Sequence, residues 1–367
     1  MKSLEEVFLD LIKIPSPSGK ELEVGKYIQS YFQSLGRQTH FDKTGKKNHS
    51  NSGNILVESG KKSKWPKIML VSHMDTVQDI NQIIDPKIKN GLFYSDGKTI
   101  LGADDKSGVA IMLLLAKETE LFGSNLCFVF TTREEEGEMG SSLLDIKKIN
   151  ADFIINIDGG KKVGSIDTNA LGQSVFQIAI KGRASHAATN PEKGVNAIKI
   201  AAEIVTDFPL GKRSNGDTCN IGYIHGGNKV NIVPEEVFLK GEVRSYSAKR
   251  LNQQLKDVET ISQKITLKNG GKLEFRVFPE LGVPVFEKNI TKDFQHKIVR
   301  AGNKTGVKVD WTSMQACSDA NYLARYGKQV ISVNRGGKDA HAKTESIRLS
   351  EIEKTLRLVK NIVLELS

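Results

Sequence analysis

Apolar and polar positions along this chain follow two periods, and the places where one period gives way to the other outline its elements. Apolar side chains recur at helical spacing from Leu4 to Ile14, and the pattern stops at Pro15-Ser-Pro-Ser-Gly19. A second amphipathic helix is expected from Glu21 to about Leu35, just before Gly36. Compact β-prone runs follow at Ile68 to Val71, Cys127 to Phe130 and Phe153 to Ile157, while Val109 to about Lys117 reads as a buried helix behind Gly108. Strand, polar residues, helix is the recurring theme to about residue 168. It predicts an α/β fold with a mixed, mostly parallel sheet covered by helices.

Near residue 170 the character changes. Ser174 to Lys181 alternates as a strand, Ala197 to Phe208 is helical, and Thr218 to Ile224 and Val237 to Arg244 read as further strands. A helix from Leu251 to Thr266 and a strand from Lys272 to Val277 complete the series. That order is the split ferredoxin-like motif and predicts an α+β domain at 171–280, inserted into a discontinuous domain of 1–170 and 281–367.

Composition changes this picture little. A chain of 367 residues exceeds what one core usually supports, and 38% hydrophobic with 26% charged residues is ordinary globular protein. The three cysteines, Cys127, Cys219 and Cys317, are far apart and suggest neither a disulfide framework nor a Cys-metal site. The net charge of +10 raises nucleic acid as a partner, but the lysines are dispersed. Two clusters, Lys43 to Lys47 and Lys61 to Lys67, flank the stretch 48–53 without aromatic interleaving, so a solvated loop is expected there and nucleic acid is the minor reading. His49 in that loop is expected at the surface. The first helix carries acids where a signal peptide would be apolar, and no run reaches membrane-spanning length; a cytoplasmic protein is expected.

The chemistry lies in five acidic and histidine motifs: His73 with Asp75, Asp104-Asp105, Glu134-Glu135, Asp158-Gly-Gly and His341. Each is read as following an apolar, β-prone run, at strand ends where α/β folds build their sites. Zinc takes neutral imidazole and carboxylate oxygen, and two zincs roughly 3.5–4 Å apart need a carboxylate that bridges them. Two histidines and three acids meet that need. Any one of these residues alone has a bland reading, as a locally bonded histidine or a solvated helix start, but the co-occurrence of all five disfavours it.

These stretches carry a resemblance. Ser72-His-Met-Asp-Thr-Val77, Leu101-Gly-Ala-Asp-Asp-Lys-Ser-Gly108, Phe130-Thr-Thr-Arg-Glu-Glu-Glu-Gly137, Asp158-Gly-Gly160, Gly182-Arg-Ala-Ser-His186, Gly226-Gly-Asn-Lys-Val-Asn-Ile-Val-Pro234 and the region of His341 resemble the dizinc peptidase and deacylase superfamily. Its members include peptidase T, carboxypeptidase G and acetylornithine deacetylase. The resemblance implies one metal held by His73, Asp104 and Asp158 and another by Asp104, Glu135 and His341, with Asp104 as the bridge. It implies Glu134 as the general base acting on a metal-bridged water, and Asp75 as the acceptor of the other N–H of His73. The Asp104–Asp105 peptide bond is typically cis in the family. Arg133 and Glu136 depart from the usual residues beside the base and are expected to alter its electrostatics.

The same resemblance makes the insert a lid and dimerisation domain, with a homodimer as the expected assembly. His186 would stabilise the tetrahedral oxyanion, often in the partner's site, although a capping histidine is the alternative. Asn231 and Arg244 would bind the substrate, with Arg335 a weaker candidate and a strand-surface charge the alternative for Arg244. Asp158-Gly-Gly resembles peptidase T more than the deacylases, which implies an aminopeptidase acting on short peptides, tripeptides above all. N-acyl-amino-acid hydrolysis, carboxypeptidase action and a catalytically silent binding protein stay open. The metals are expected to be zinc, with cobalt or manganese as alternatives. A neighbouring dizinc aminopeptidase family shares the ligand order but has a different insert; the motifs around His186 and Asn231 argue against it.

Overall fold

The computed structural model describes residues 2–59, 66–79, 82–119, 122 and 125–367. The chain divides into two compact units, Met1–Ala170 with Lys288–Ser367, and Leu171–Glu287. The first opens with α1 (Leu4–Lys13), α2 (Leu22–Ser34), β1 (His40–Phe41), α3 (Gly45–Asn48), β2 (Ile55–Ser59), β3 (Lys67–His73), β4 (Lys87–Lys89), β5 (Leu92–Tyr94) and α4 (Ala103–Ala116). There follow β6 (Asn125–Thr131), α5 (Met139–Ser142), α6 (Ile146–Ile149), β7 (Phe153–Asn156) and β8 (Ser165–Ala170). The second unit is β9 (Gly172–Lys181), α7 (Ala197–Asp207), β10 (Gly211–Lys212), β11 (Thr218–Gly226), β12 (Glu236–Ser245), α8 (Ala248–Lys268) and β13 (Lys272–Val283). The chain returns to the first unit through α9 (Lys292–Thr305), β14 (Asp310–Met314), α10 (Asp319–Ala324), β15 (Gln329–Val333), β16 (Ser346–Arg348) and α11 (Leu349–Leu366).

In the first unit an eight-stranded sheet runs in the order β1-β2-β6-β3-β7-β15-β8-β14. Its central strands β6, β3, β7 and β15 are parallel and the far edges are mixed. All but the first residue of β3 are buried, as in a sheet covered on both faces. α4 is apolar almost all round and is buried against β3, α1, α2 and α11. α1 starts on a reciprocal cap, Ser3 Oγ accepting from the Glu6 amide at 3.3 Å and Glu6 Oε2 from the Ser3 amide at 2.7 Å. Its stripe of Leu4, Val7, Phe8, Leu11 and Ile12 is buried in the core, each side chain worth roughly 1.5–3 kcal/mol. Among the described residues no helix is long and apolar enough to cross a membrane.

The second unit has its own core around Phe176, Ile178, Ile180, Ile204 and Leu239. Its five-stranded antiparallel sheet runs β10-β11-β12-β9-β13, with α7 and α8 packed on it. β13 continues past the expected end at Val277 to Val283, because pairing with β9 resumes at Val283 and Gln173 after an irregularity. Pro279 sits in that irregularity, on an edge strand that tolerates its missing N–H.

One expectation is corrected. The stretch 48–53 is not simply a solvated loop: α3 ends at its first residue, Asn48, and Asn48 and Ser52 are buried together with the adjoining Asn54. Asn48 Nδ2 donates to Thr132 Oγ1 at 3.1 Å, and Asn54 bonds the Thr132 amide at 3.1 Å and the Gly140 carbonyl at 3.0 Å. These amides satisfy the backbone beside Glu134, which accounts for polar residues in a packed position. His49 is exposed, at φ 60°. Of the second lysine cluster only Lys67 lies within the described residues.

Candidate active site

Parallel strands deliver their C-terminal ends to one edge of a sheet. There His73 ends β3, Glu134 and Glu135 follow β6, Asp158 follows β7, and His341 follows β15. Asp104 and Asp105 enter from the first turn of α4, and the peptide bond between them is cis. Ligand atoms of His73, Asp104 and Asp158 lie within 4.8 Å of one another, as do those of Asp104, Glu135 and His341. A third grouping, His73 with Glu134 and Glu135, satisfies the same distance. Asp104 joins the first two clusters, and Glu134 belongs to neither.

Asp75 has more partners than the imidazole expected for it. His73 Nδ1 lies 3.0 Å from the backbone carbonyl oxygen of Asp75 and 3.5 Å from its carboxylate. The carboxylate instead accepts the amides of Glu134 at 3.0 Å and Glu135 at 3.2 Å, and the hydroxyl of Ser18 at 2.6 Å. Asp75 is fully buried. It holds the backbone of Glu134 and Glu135, and its carbonyl oxygen is nearer the His73 ring than its carboxylate is.

Two glycines of the motifs are required by close approach. A Cβ at Gly108 would stand 2.3 Å from Asp105 Oδ2 and 2.5 Å from the Ile157 carbonyl oxygen. Gly159 has φ +118°, and a Cβ there would meet Asn334 Oδ1 at 2.4 Å.

Burial pushes Glu134 well above the usual carboxyl range, and the negative charges of Asp158, Glu135 and Glu138 add to it against the opposing pull of His73. Burial, then Asp104, pushes Asp158 up to about 8. For Asp104 burial acts upward too, but Arg335 and the two imidazoles outweigh it and hold it well below the usual range. The cleft therefore carries buried negative charge in excess of its own cations. Its donors are carboxylate oxygen and imidazole nitrogen, and Asp104 Oδ1 and Glu135 Oε1 are buried with ion-pair contacts, to Arg335 and His341, in place of well-formed hydrogen bonds. This donor set fits two divalent ions.

In the second unit His186 and Asn231 are brought together. His186 pairs with Ile232 across an antiparallel bridge, and the Ala187 amide donates to the Asn231 carbonyl at 3.0 Å. Both residues are exposed. His186 Nδ1 accepts the amides of Ala188 and Thr189, each at 3.2 Å, so the neutral ring carries its proton on Nε2. Arg244 lies elsewhere, eight residues along β12 from Glu236 or roughly 25 Å by strand rise. Its guanidinium forks onto Glu242 at 2.8 and 3.2 Å.

Comparisons with known proteins agree with both halves of this arrangement. The peptidase dimerisation domain family matches residues 171–269, and peptidase family M28 matches residues 54–197. A Bacillus subtilis protein, YqjE, described as uncharacterized, is 32% identical over 99% of this chain and 98% of its own. The crystal structure of the aminopeptidase PepT from Bacillus cereus superposes with a TM-score of 0.91 at 31% identity, covering 99% of this chain and 98% of that one. The chain belongs to the peptidase T-like superfamily of dinuclear metallopeptidases. A tripeptidase from Staphylococcus aureus is similar over 99% of this chain and 97% of its own, with a TM-score of 0.89 and 30% identity. The metallopeptidase thus joins a catalytic unit, part of which matches the M28 family, to a dimerisation domain of the M20 type.

One residue of this metallopeptidase site is not marked by any local pattern. Glu345 accepts the amides of Leu101, Gly102 and Asp104 at 2.8, 2.7 and 3.1 Å, and so positions the aspartate that the two clusters share. Arg335, only 2% exposed, donates from Nε to Asp105 at 2.8 Å and contacts Asp104 through its other end. Such burial removes it from the surface where a substrate carboxylate would be gripped. Arg133 and Glu136 form an ion pair with each other, and Arg133 also donates to the Asn48 carbonyl. Their charges therefore offset one another beside Glu134.

Proposed function

We propose that this metallopeptidase removes the N-terminal residue from short peptides, tripeptides above all. The observation that carries the reading is the pair of three-ligand clusters sharing Asp104 beside a carboxylate, Glu134, that belongs to neither. They line a cavity of about 430 Å³, a size suited to a small ligand. His73, Asp104 and Asp158 would hold one ion and Asp104, Glu135 and His341 the other, zinc being our assignment. When bound, the ions supply Lewis-acid polarisation of the scissile carbonyl and lower the pKa of water.

The remaining work falls to the chain. Glu134 takes the proton of the attacking water and returns it to the departing amine nitrogen, a task its desolvated setting suits. Asp75 holds the Glu134 and Glu135 amides and keeps base and ligand in register. His186 donates Nε2–H to the developing oxyanion, acting across a homodimer, and Asn231 beside it binds the substrate backbone. We assign Arg244, forked onto Glu242, to the strand pair rather than to the substrate.

A homodimer through the inserted unit is supported by an exposed apolar group on its edge. β10 covers only the start of β11, and Tyr223 and Ile224 further along are 55% and 57% exposed. Val230, Ile232 and Ile198 are exposed as well.

Product identification by mass spectrometry tests the reading. Metal-loaded protein is offered free dipeptides, free tripeptides and N-acyl amino acids, with chelated protein and Glu134→Gln alongside. Release of the N-terminal residue from tripeptides, lost in both controls, is the expected outcome. Turnover of N-blocked substrates alone would move the protein to the deacylase or carboxypeptidase branch.

A further inference from the structure

We propose that Lys161 recognises the free C-terminal carboxylate of the substrate and so confines the enzyme to peptides short enough to reach it. This rests on the peptidase reading above. Lys161 lies on the wall of the cavity that contains both ligand clusters, and it is the only lysine or arginine among the described residues lining it. Its neighbours on that wall include Asp167 and the segment from Met314 to Cys317. A peptide lying with its first amide at the ligand clusters meets several carboxylates and one ammonium. Its own carboxylate is repelled by the former and attracted by the latter.

The ammonium is held in place before any substrate arrives. Lys161 Nζ donates to Asp167 Oδ1 at 2.5 Å and to the Ser313 carbonyl at 2.8 Å, and the Lys161 amide donates to Asn334 Oδ1 at 3.1 Å. Asp167 is fully buried and fixed in turn by Thr312 Oγ1 and Asn334 Nδ2, each at 2.7 Å. An ammonium has three N–H donors, so these two partners leave one for a ligand. The Lys161 side chain remains 36% exposed, whereas Arg335, the other cation near the clusters, is enclosed and committed to Asp104 and Asp105. A fixed donor that keeps one N–H in an accessible cavity is a preorganised anion partner, because little side-chain freedom remains to be lost on binding.

The test compares a free tripeptide with its C-terminal amide. kcat and KM are measured for both on metal-loaded wild type, Lys161→Gln, Lys161→Arg and the neutralised pair Lys161→Gln with Asp167→Asn, which avoids stranding a buried carboxylate. Wild type is expected to prefer the free acid by about 10- to 100-fold, expressed in KM, as for one charge-assisted hydrogen bond. In Lys161→Gln and in the neutralised pair the free acid should fall to the level of the amide, and Lys161→Arg should keep most of the preference. Calorimetric binding of both peptides to metal-loaded Glu134→Gln, with and without Lys161→Gln, should repeat these ratios in the absence of turnover. Equal treatment of acid and amide by wild type, or a preference that survives in both neutral variants, overturns the proposal and leaves Lys161 as the counter-ion of Asp167. Should wild type hydrolyse N-acyl amino acids but no tripeptide, the aminopeptidase reading fails, and the same acid-to-amide comparison on an N-acyl amino acid decides the role of Lys161.

Discussion

The two units carry their functional groups in opposite ways. In the catalytic unit His73, Asp75, Asp105 and Arg335 are all but inaccessible, and each is held by partners drawn from several elements. In the inserted unit His186 and Asn231 stand exposed on one loop pair, and the apolar side chains around them are uncovered too. The first arrangement gathers all of its candidate ligands within one unit. The second offers a donor and a sticky edge with nothing of its own to act on. Burial fixes geometry and shifts charge states, whereas exposure leaves a group available to something outside the unit.

The largest expected effect lies at the centre of the buried region. Glu134→Gln should lower kcat by about 10²–10⁴-fold while leaving metal content intact, and retention of activity would mean that another group moves the proton. Next comes the exposed donor: His186→Ala should cost about 10²–10³-fold in kcat with unchanged metal content. Mixing these two inactive variants sharpens the contrast. If His186 acts across a dimer, random mixing restores roughly a quarter of wild-type activity, since half of the dimers then hold one intact centre of two. No recovery in the mixture, with dimers present by light scattering, would return His186 to its own centre.

Asp75→Asn should be milder. It keeps the shape but weakens the hold on the Glu134 and Glu135 amides, and a loss of about 10- to 100-fold in metal affinity is expected, read by competition with a chelating dye. Ile224→Arg should break the apolar edge and leave a monomer by light scattering, with its melting temperature nearly unchanged; a dimer that persists would place the interface elsewhere.

The smallest effect is a pH dependence of the metal-free protein. Asp158 is held up to about 8, and His341, through its contacts with Asp104 and Glu135, up to about 10. Both values lie above those of the unfolded chain, so the folded state binds more protons and stability falls as pH rises. The fall spans about pH 4 to 8 for Asp158 and about pH 6.5 to 10 for His341. The melting temperature of chelated protein should therefore decline between about pH 6 and 9, and metal loading, which needs these groups deprotonated, should restore more of it at the high end. A flat profile without metal would contradict the charge balance argued for the cleft.

Much of this was legible in the chain. Helical spacing in α1 and α2, the apolar runs of β3, β6 and β7, and the strand-helix order of the insert are local patterns, because side chains repeat on a face every 3.6 or every 2 residues. Three of the five motifs, those of His73, Glu134-Glu135 and Asp158, stand where strands end, and strand ends are visible; Asp104-Asp105 open α4 instead, and His341 lies eight residues past β15. The buried asparagines at 48 and 54 were not, since a polar residue packed against a distant amide has the same local signature as a solvated one.

By itself, then, the sequence determined the element types, the inserted domain and the kinds of ligand atoms, all of which follow from local periodicity and side-chain chemistry. Tertiary structure alone decided which carboxylate meets which partner. Asp75 turned to the Glu134 and Glu135 amides, Arg335 closed onto Asp104 and Asp105, Glu345 capped the approach to Asp104, and Lys161 locked onto Asp167. Most of these contacts join residues far apart in the chain, and all depend on how strands and loops are brought side by side. A hydrogen bond or ion pair is a property of two groups in space, so no pattern in the neighbourhood of either one specifies it.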